Sequence, residues 1–448
     1  MTKIYKKFFF RIISLFCILC CLPAMLKSQQ KDSILYQYQL FSFHAQTTII
    51  NQNKLGFSAK YSGDNSLSIQ PESQTSITST LYLGARLWNG ASIFVNPEIA
   101  GGSGLSGALG VAASTNGETF RIGDPAPNIY LARLYFTQFF SLSKDFNSQE
   151  SNLNQLAGKM PMSYLAFTLG KIAISDRFDN NKFSHDPRTQ FMSWGLMSNA
   201  AWDYPANTRG YTPSFVLEYV LPFDELRYAF SLIPTTANGG IMNWNVFQAH
   251  SHTLEFTHSY KIANQNGAVR LLGFFTTGNM GNYHDALLMS PTNPDIHSVE
   301  KYGNTKYGFG INAEQDITKD LGFFLKASWN DGNNETWAFT EIDQSLSVGL
   351  NLNGNYWKRQ NDNVGLAMVI SGLSESHRTY LKAGGKGFML GDGNLNYGLE
   401  QVAELYYNFE ISPAITLGGT YQLILNPGYN IDRQGPVNVF SARLHVQI

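Results

Sequence analysis

Past residue 21 the chain has no cysteine; Cys17, Cys20 and Cys21 are the only three. Disulfides and thiolate metal sites are therefore excluded from the rest of the chain. An excess of one charge is missing too. There are 32 Lys and Arg against 33 Asp and Glu, so no overall field draws nucleic acid. After the first thirty residues no run of 18 apolar residues occurs, and no membrane-spanning helix can be placed there. Tyr and Phe are plentiful instead, at 23 and 31, with 40 Gly and a mean hydropathy of −0.18. That balance suits many strands and turns rather than helices.

The first residues stand apart. Lys3, Lys6, Lys7 and Arg11 precede an apolar run from Ile12 to Leu22, broken only by Ser14. The run is shorter than the ~20 residues a bilayer needs, so residues 1–28 are expected to be a secretory signal peptide. Residues 29–75 form an N-terminal segment with room for a periplasmic part and one weak strand near Phe41 to Asn51. Residues 76–448 carry a regular pattern.

That pattern has period two. Ile77, Leu81, Leu83 and Leu87 alternate with Thr78, Thr80, Tyr82 and Arg86, and the Asn89-Gly90 pair then marks a hairpin. Tyr130, Ala132, Leu134 and Phe136 alternate with Arg133, Tyr135 and Thr137. At the far end Phe440, Ala442, Leu444, Val446 and Ile448 alternate with Val439, Ser441, Arg443, His445 and Gln447. Sixteen such segments can be counted, an even number, with short turns such as Lys319-Asp320 on one side and longer Gly- and Asn-rich loops on the other. The expected fold is all-β: a transmembrane antiparallel barrel of about 16 strands with short helical insertions in its loops. A secreted β-sandwich would also alternate. Single charges set among Ser, Thr, Asn and Gly on the polar rows, and aromatics near strand ends, favour the barrel.

The polar rows collect Arg86, Arg133, Arg227, Arg270, Lys326 and Arg443 against Glu98, Glu218, Glu255, Glu314 and Glu404. A pore of one dominant sign selects ions. This mixed set favours a neutral, hydroxyl-rich solute, with ionised groups bonding to hydroxyls. Tyr82, Phe94, Tyr135 and Tyr406 are inward rings on which a sugar could stack. The Gly102-Ser103-Gly104-Leu105-Ser106-Gly107 run fits a dinucleotide fingerprint in letters only, since no parallel βαβ context accompanies it. Pro187, with Asp186 as cap, predicts the start of a short helix.

Several segments carry a resemblance: Pro97-Glu98 with Gly104-Leu105-Ser106-Gly107, Tyr130-Leu131-Ala132-Arg133, and Asp176-Arg177-Phe178-Asp179-Asn180-Asn181. His185-Asp186-Pro187-Arg188, Ala201-Trp202-Asp203, Thr208-Arg209-Gly210-Tyr211 and Asn426-Pro427-Gly428-Tyr429-Asn430 continue it. In these the chain resembles the carbohydrate-selective porins of Gram-negative outer membranes (the OprB family). The resemblance implies a 16-stranded barrel passing sugars by selective diffusion. It implies pore or loop roles for Glu98, Arg133, Asp176, Asp179, Arg188 and Arg209; the inward rows add Arg86, Tyr135 and Glu404. No catalytic residue, cofactor or metal is expected. The expected partners are sugar solutes and outer-membrane lipid, with the chain a monomer or a homotrimer. The alternatives are an adhesin-like barrel with a plugged lumen and a barrel hydrolase.

Overall fold

The computed structural model describes residues 39–118 and 126–448. The expected signal peptide lies outside the described residues. Sixteen strands close into one antiparallel barrel, each paired to its neighbours in chain order. They are β1 (Phe41–Lys54), β2 (Glu72–Trp88), β3 (Ala91–Gly102), β4 (Asn128–Ser141), β7 (Tyr164–Ile172), β8 (Thr212–Val220), β9 (Asp224–Leu232) and β10 (His250–Ile262). The second half comprises β11 (Gln265–Met280), β12 (Lys301–Asp316), β13 (Leu321–Asn330), β14 (Gln344–Asn353), β15 (Asn363–Gly372), β16 (Glu400–Ser412), β17 (Ile415–Leu425) and β18 (Val437–Gln447). A separate hairpin, β5 (Phe146–Gln149) and β6 (Gly158–Pro161), hangs between β4 and β7.

Closure depends on the chain ends. β18 would be an open edge, but β1 pairs with it from Gln46↔Gln447 to Lys54↔Val439. Even the last residue is tied in: Ile448 N donates to Ala45 O at 2.9 Å, and Ala45 N to Ile448 O at 3.0 Å. Among the described residues the barrel sheet is left with no unpaired edge to attract another chain. The barrel thus begins ahead of residue 76. β1 is a full strand, yet its outward row includes Ala45, Thr47 and Asn51, which blurs the apolar alternation.

Elsewhere the alternation holds. Leu254, Leu271, Phe309, Leu350, Leu366 and Phe440 are exposed on the outer face, while Thr253, Lys326, Glu404 and Arg443 are buried within. Tyr130 departs from the expectation. Asn96 pairs with Arg133 but Pro97 pairs with Leu131, so Ala132 is an extra residue in β4. Such a bulge swaps the faces of everything beyond it. Ile129 and Leu131 therefore face outward, and Tyr130 turns into the lumen.

The connections sort by side. Residues 89–90, 221–223, 263–264, 317–320 and 413–414 turn tightly at the end where the barrel's chain ends meet. Residues 55–71, 103–118, 173–211, 281–300, 331–343 and 373–399 are long and lie at the opposite end. The longest, 173–211, folds into the barrel and carries a 3₁₀ turn (Ile174–Asp176) and a one-turn helix, α1 (Trp194–Met197). Its Phe178, Trp194, Trp202 and Tyr204 pack with Phe339 against Tyr135, Val216 and Phe274 of the wall. The interior therefore holds a packed core of loop side chains beside its polar space.

The helix expected at Pro187 is a single turn. Asp186 does cap it, accepting from Arg188 N at 3.0 Å. The wall residue Arg443, however, donates Nη1 to the carbonyls of Pro187 and Gln190, at 2.7 and 2.8 Å, taking acceptors a helix would use.

Lipid contact on the outer row sets a stability test. Leu271→Arg, at mid-strand on the outer face, should lower the unfolding free energy by about 2–4 kcal/mol. Urea titration of the barrel refolded in lipid vesicles measures it.

Candidate functional site: the central lumen

A cavity of ≈ 520 Å³ occupies the lumen between the wall of β2, β3 and β4 and the infolded 173–211 loop. Glu98, Arg133, Tyr135, Asp176, Asp179, Arg188 and Arg209 all line it, so seven of the expected residues meet in one place. Arg86 and Glu404 do not. Arg86 lies in the wall of a second cavity, ≈ 400 Å³, toward the short-turn end. Asn154, Gln155 and Arg177 belong to both walls. Glu404 is shut beneath the loop, where its carboxyl accepts from Met192 N at 2.6 Å and Ser193 N at 2.8 Å.

Strand β4 aims Arg133 at the turn after β7. Its guanidinium donates two parallel hydrogen bonds to Asp176, Nε to Oδ2 at 2.6 Å and Nη2 to Oδ1 at 2.7 Å. Such a fork fixes orientation as well as charge. Burial pushes the Asp176 carboxyl up, but the Arg133 charge and the two hydrogen bonds outweigh it and hold it below its ordinary value. The pair is thus intact above the ordinary carboxylate range and is lost as pH falls through the depressed value. Arg133 also lies 5.1 Å from the ring centre of Tyr211, and its buried Nη1 has no hydrogen-bond partner among the described residues.

Glu98 of β3 is surrounded by hydroxyls. Thr80 Oγ1 donates to it at 2.5 Å, Tyr211 OH at 3.0 Å, and Tyr130 OH also bonds to it. Arg209 stacks on Tyr130, 4.0 Å from the ring centre. Across the cavity Arg188 donates Nε to Glu118 at 2.9 Å and Nη1 to Gln46 at 3.1 Å, and Tyr82 OH reaches the same Gln46 oxygen at 2.8 Å. Arg177 sits 3.7 Å from Glu218 and 5.9 Å from the ring centre of Tyr135. Arg133, Arg177 and Arg188 have carboxylate partners close by, and Arg133, Arg177 and Arg209 lie over aromatic rings.

Asp179 is held differently. It takes a positive φ of 57° and accepts from Asn199 N, Asn199 Nδ2 and Asn312 Nδ2 at 2.6–2.7 Å. Its own N–H donates to Glu255 at 2.7 Å. Asp179 thereby locks the start of the infolded loop to β10 and β12.

The sequence reading missed Tyr130, Arg177 and Tyr211 as lumen residues. Tyr130 was hidden by the bulge; Arg177 and Tyr211 sit inside segments already singled out. Asn154 gave no signal. It comes from the connection between β5 and β6, rises into the barrel, and accepts from Asn96 Nδ2 at 2.9 Å.

A closed sixteen-stranded barrel with an apolar outer face and a polar, paired-charge lumen defines an outer-membrane channel of the porin type. A family model for carbohydrate-selective porins, the OprB family, matches residues 45–448, and the chain belongs to that family. Family membership makes it a channel protein of the outer membrane, in a family of channels rather than enzymes. OprB of Pseudomonas putida at high pH superposes with a TM-score of 0.70 and 15% identity, over 91% of this chain and 94% of that one. The low-pH structure of the same protein gives 0.49 and 12%, over 91% and 93%. The outer membrane channel DcaP of Acinetobacter baumannii gives 0.49 and 11%, over 92% and 98%. No curated protein matches by sequence.

The role of Glu404 can be checked directly. Glu404→Gln places an amide N–H₂ where two backbone donors need acceptors. It should cost about 1.5–3 kcal/mol per charge-assisted bond lost and lower the melting temperature in detergent. Single-channel recordings should become noisier as the 173–211 loop loosens.

Proposed function

We propose that the protein passes mono- or small oligosaccharides passively and selectively into the periplasm, and that the 520 Å³ cavity is where they are selected. The observation that carries this is the pairing of charge. Arg133 with Asp176 and Arg188 with Glu118 leave little net field for an ion, while their remaining donor and acceptor positions suit hydroxyls. Glu98 already accepts three protein hydroxyls, and the nearby rings of Tyr82, Tyr135 and Tyr211 offer flat faces for sugar C–H groups. Arg133, Glu98, Arg188 and Arg209 are the residues assigned to solute contact; Asp176 and Asp179 position them. Binding must stay weak for the solute to leave, so pre-formed pairs that give up a bond only partly are the suitable chemistry.

A hydrolase would need a free carboxylate. Asp176 is committed to Arg133, and Asp179 to Asn199 and Asn312, so no acid–base role is assigned to either. A plugged, adhesin-like barrel is the second reading, supported by the loop core inside the lumen. Planar-bilayer recording separates the two, since a plugged barrel carries no current.

In liposome swelling, sugars should enter faster than amino acids of equal size; equal rates would reject selectivity. Arg133→Ala should weaken sugar block of the ion current about tenfold, as expected for one lost charged hydrogen-bond donor, and unchanged block would remove Arg133 from the filter.

A further inference from the structure

Away from the lumen, at the long-loop end, three metal-ligating side chains converge. His297 and Glu300 share one turn of 3₁₀-helix, Ile296–Val299 with its following residue, in the 281–300 loop. Glu335 comes from the 331–343 loop. One ligand atom from each lies within 4.8 Å of the other two. Backbone bonds join the loops here: Glu335 N donates to Gly281 O at 2.9 Å, and Tyr283 N to Asn333 O at 3.0 Å.

The two carboxyl groups are each held at one oxygen by a protein donor. Asn279 Nδ2 donates to Glu300 Oε2 at 3.1 Å, and Gly281 N to Glu335 Oε1 at 2.7 Å. Outer bonds of this kind orient ligands around a cation. The inner oxygens are left for something else. Glu300 Oε1 meets His297 Nδ1 at 2.5 Å. The inner oxygen of Glu335 has no donor among the described residues, although Glu335 is only 5% exposed. Two carboxyl groups this close repel when both are ionised, and a cation held between them would offset that repulsion.

We propose that His297, Glu300 and Glu335 bind a divalent first-row transition metal ion, Zn²⁺ foremost, and that the ion ties the 281–300 loop to the 331–343 loop. Donor chemistry selects the class. Ca²⁺ and Mg²⁺ require six or more oxygens or ordered octahedral waters, whereas one imidazole and two carboxylates match a borderline ion with an open position for water. Ligand atoms around Zn²⁺ stand roughly 3–3.5 Å apart, given bonds of about 2.0–2.2 Å. The cluster must therefore close by about an ångström, and His297, largely exposed, is free to turn. Phe339, further along the tied loop, lines the central cavity, so the ion would also steady one wall of the lumen.

The test uses the full barrel in detergent, tag removed and treated with chelator, titrated with ZnCl₂ in a calorimeter and in thermal melts. The expected result is one ion per chain and a raised melting temperature. His297→Ala should weaken binding at least about tenfold, and Glu335→Gln likewise, while His284→Ala, a nearby exposed histidine, should bind as the unaltered protein does. Absence of binding, or binding that survives His297→Ala, overturns the proposal. Because His297 is exposed, its replacement leaves the fold intact and decides the question even if Glu335→Gln fails to fold. MgCl₂ or CaCl₂ giving the same signal would overturn the assignment of metal class.

Discussion

Glu400 and Glu404 project from β16 into the barrel, yet neither meets open lumen. Each accepts hydrogen bonds from backbone N–H groups of the infolded loops: Glu400 from Ala112, Ala113 and Gly428, Glu404 from Met192 and Ser193. The same device recurs around the wall. Glu255 receives Asp179 N, Glu314 receives Lys182 N, and Glu72 receives Ser106 N. A loop folded inside a barrel has no strand partner for its N–H groups, and a buried carboxyl has no water. Each is costly alone, and each satisfies the other. The shape of the lumen depends on this exchange, because the anchored loops fill space that the wall leaves open.

This dependence explains which parts of the site were legible in the sequence. Period-two alternation separates lipid from lumen wherever the register is regular, as in β13 to β15. It cannot separate two kinds of inward residue. Glu98 and Glu404 occupy equivalent places in their patterns, yet Glu98 borders the cavity and Glu404 is covered by the loop. The difference is made by chain far away in sequence, Met192 and Ser193 over Glu404, which no local pattern records. Tyr130 failed for a different reason: one extra residue at Ala132 moves it to the other face, and a bulge leaves no mark in a string of apolar and polar letters. β1 failed for want of contrast, since Ala, Thr and Asn on its outer row look like neither lipid nor water.

Arg133 was legible because its strand beyond the bulge is regular and because its motif resembles a known family. Its partner was not. Asp176 reaches Arg133 because β7 ends at Ile172 and the chain turns inward at once. A longer strand would have carried the carboxyl past the guanidinium and left a positive charge alone in the lumen.

The proposed selection of uncharged solutes rests on how these pairs are distributed. Arg133 with Asp176 and Arg227 with Glu218 pair at the strands, and Arg188 with Glu118 pairs between two loops, so opposite charges alternate at close range. Opposite charges at hydrogen-bond distance cancel beyond their own length, and an ion entering gains attraction from one member and loses it to the other. A hydroxyl suffers no such cancellation. It donates to the carboxylate and accepts from the guanidinium, and so gains from both members of a pair. The arrangement that gives an ion little reward for losing its water gives a sugar two partners for each hydroxyl pair, and the anchored loop keeps those partners from drifting apart when the solute leaves.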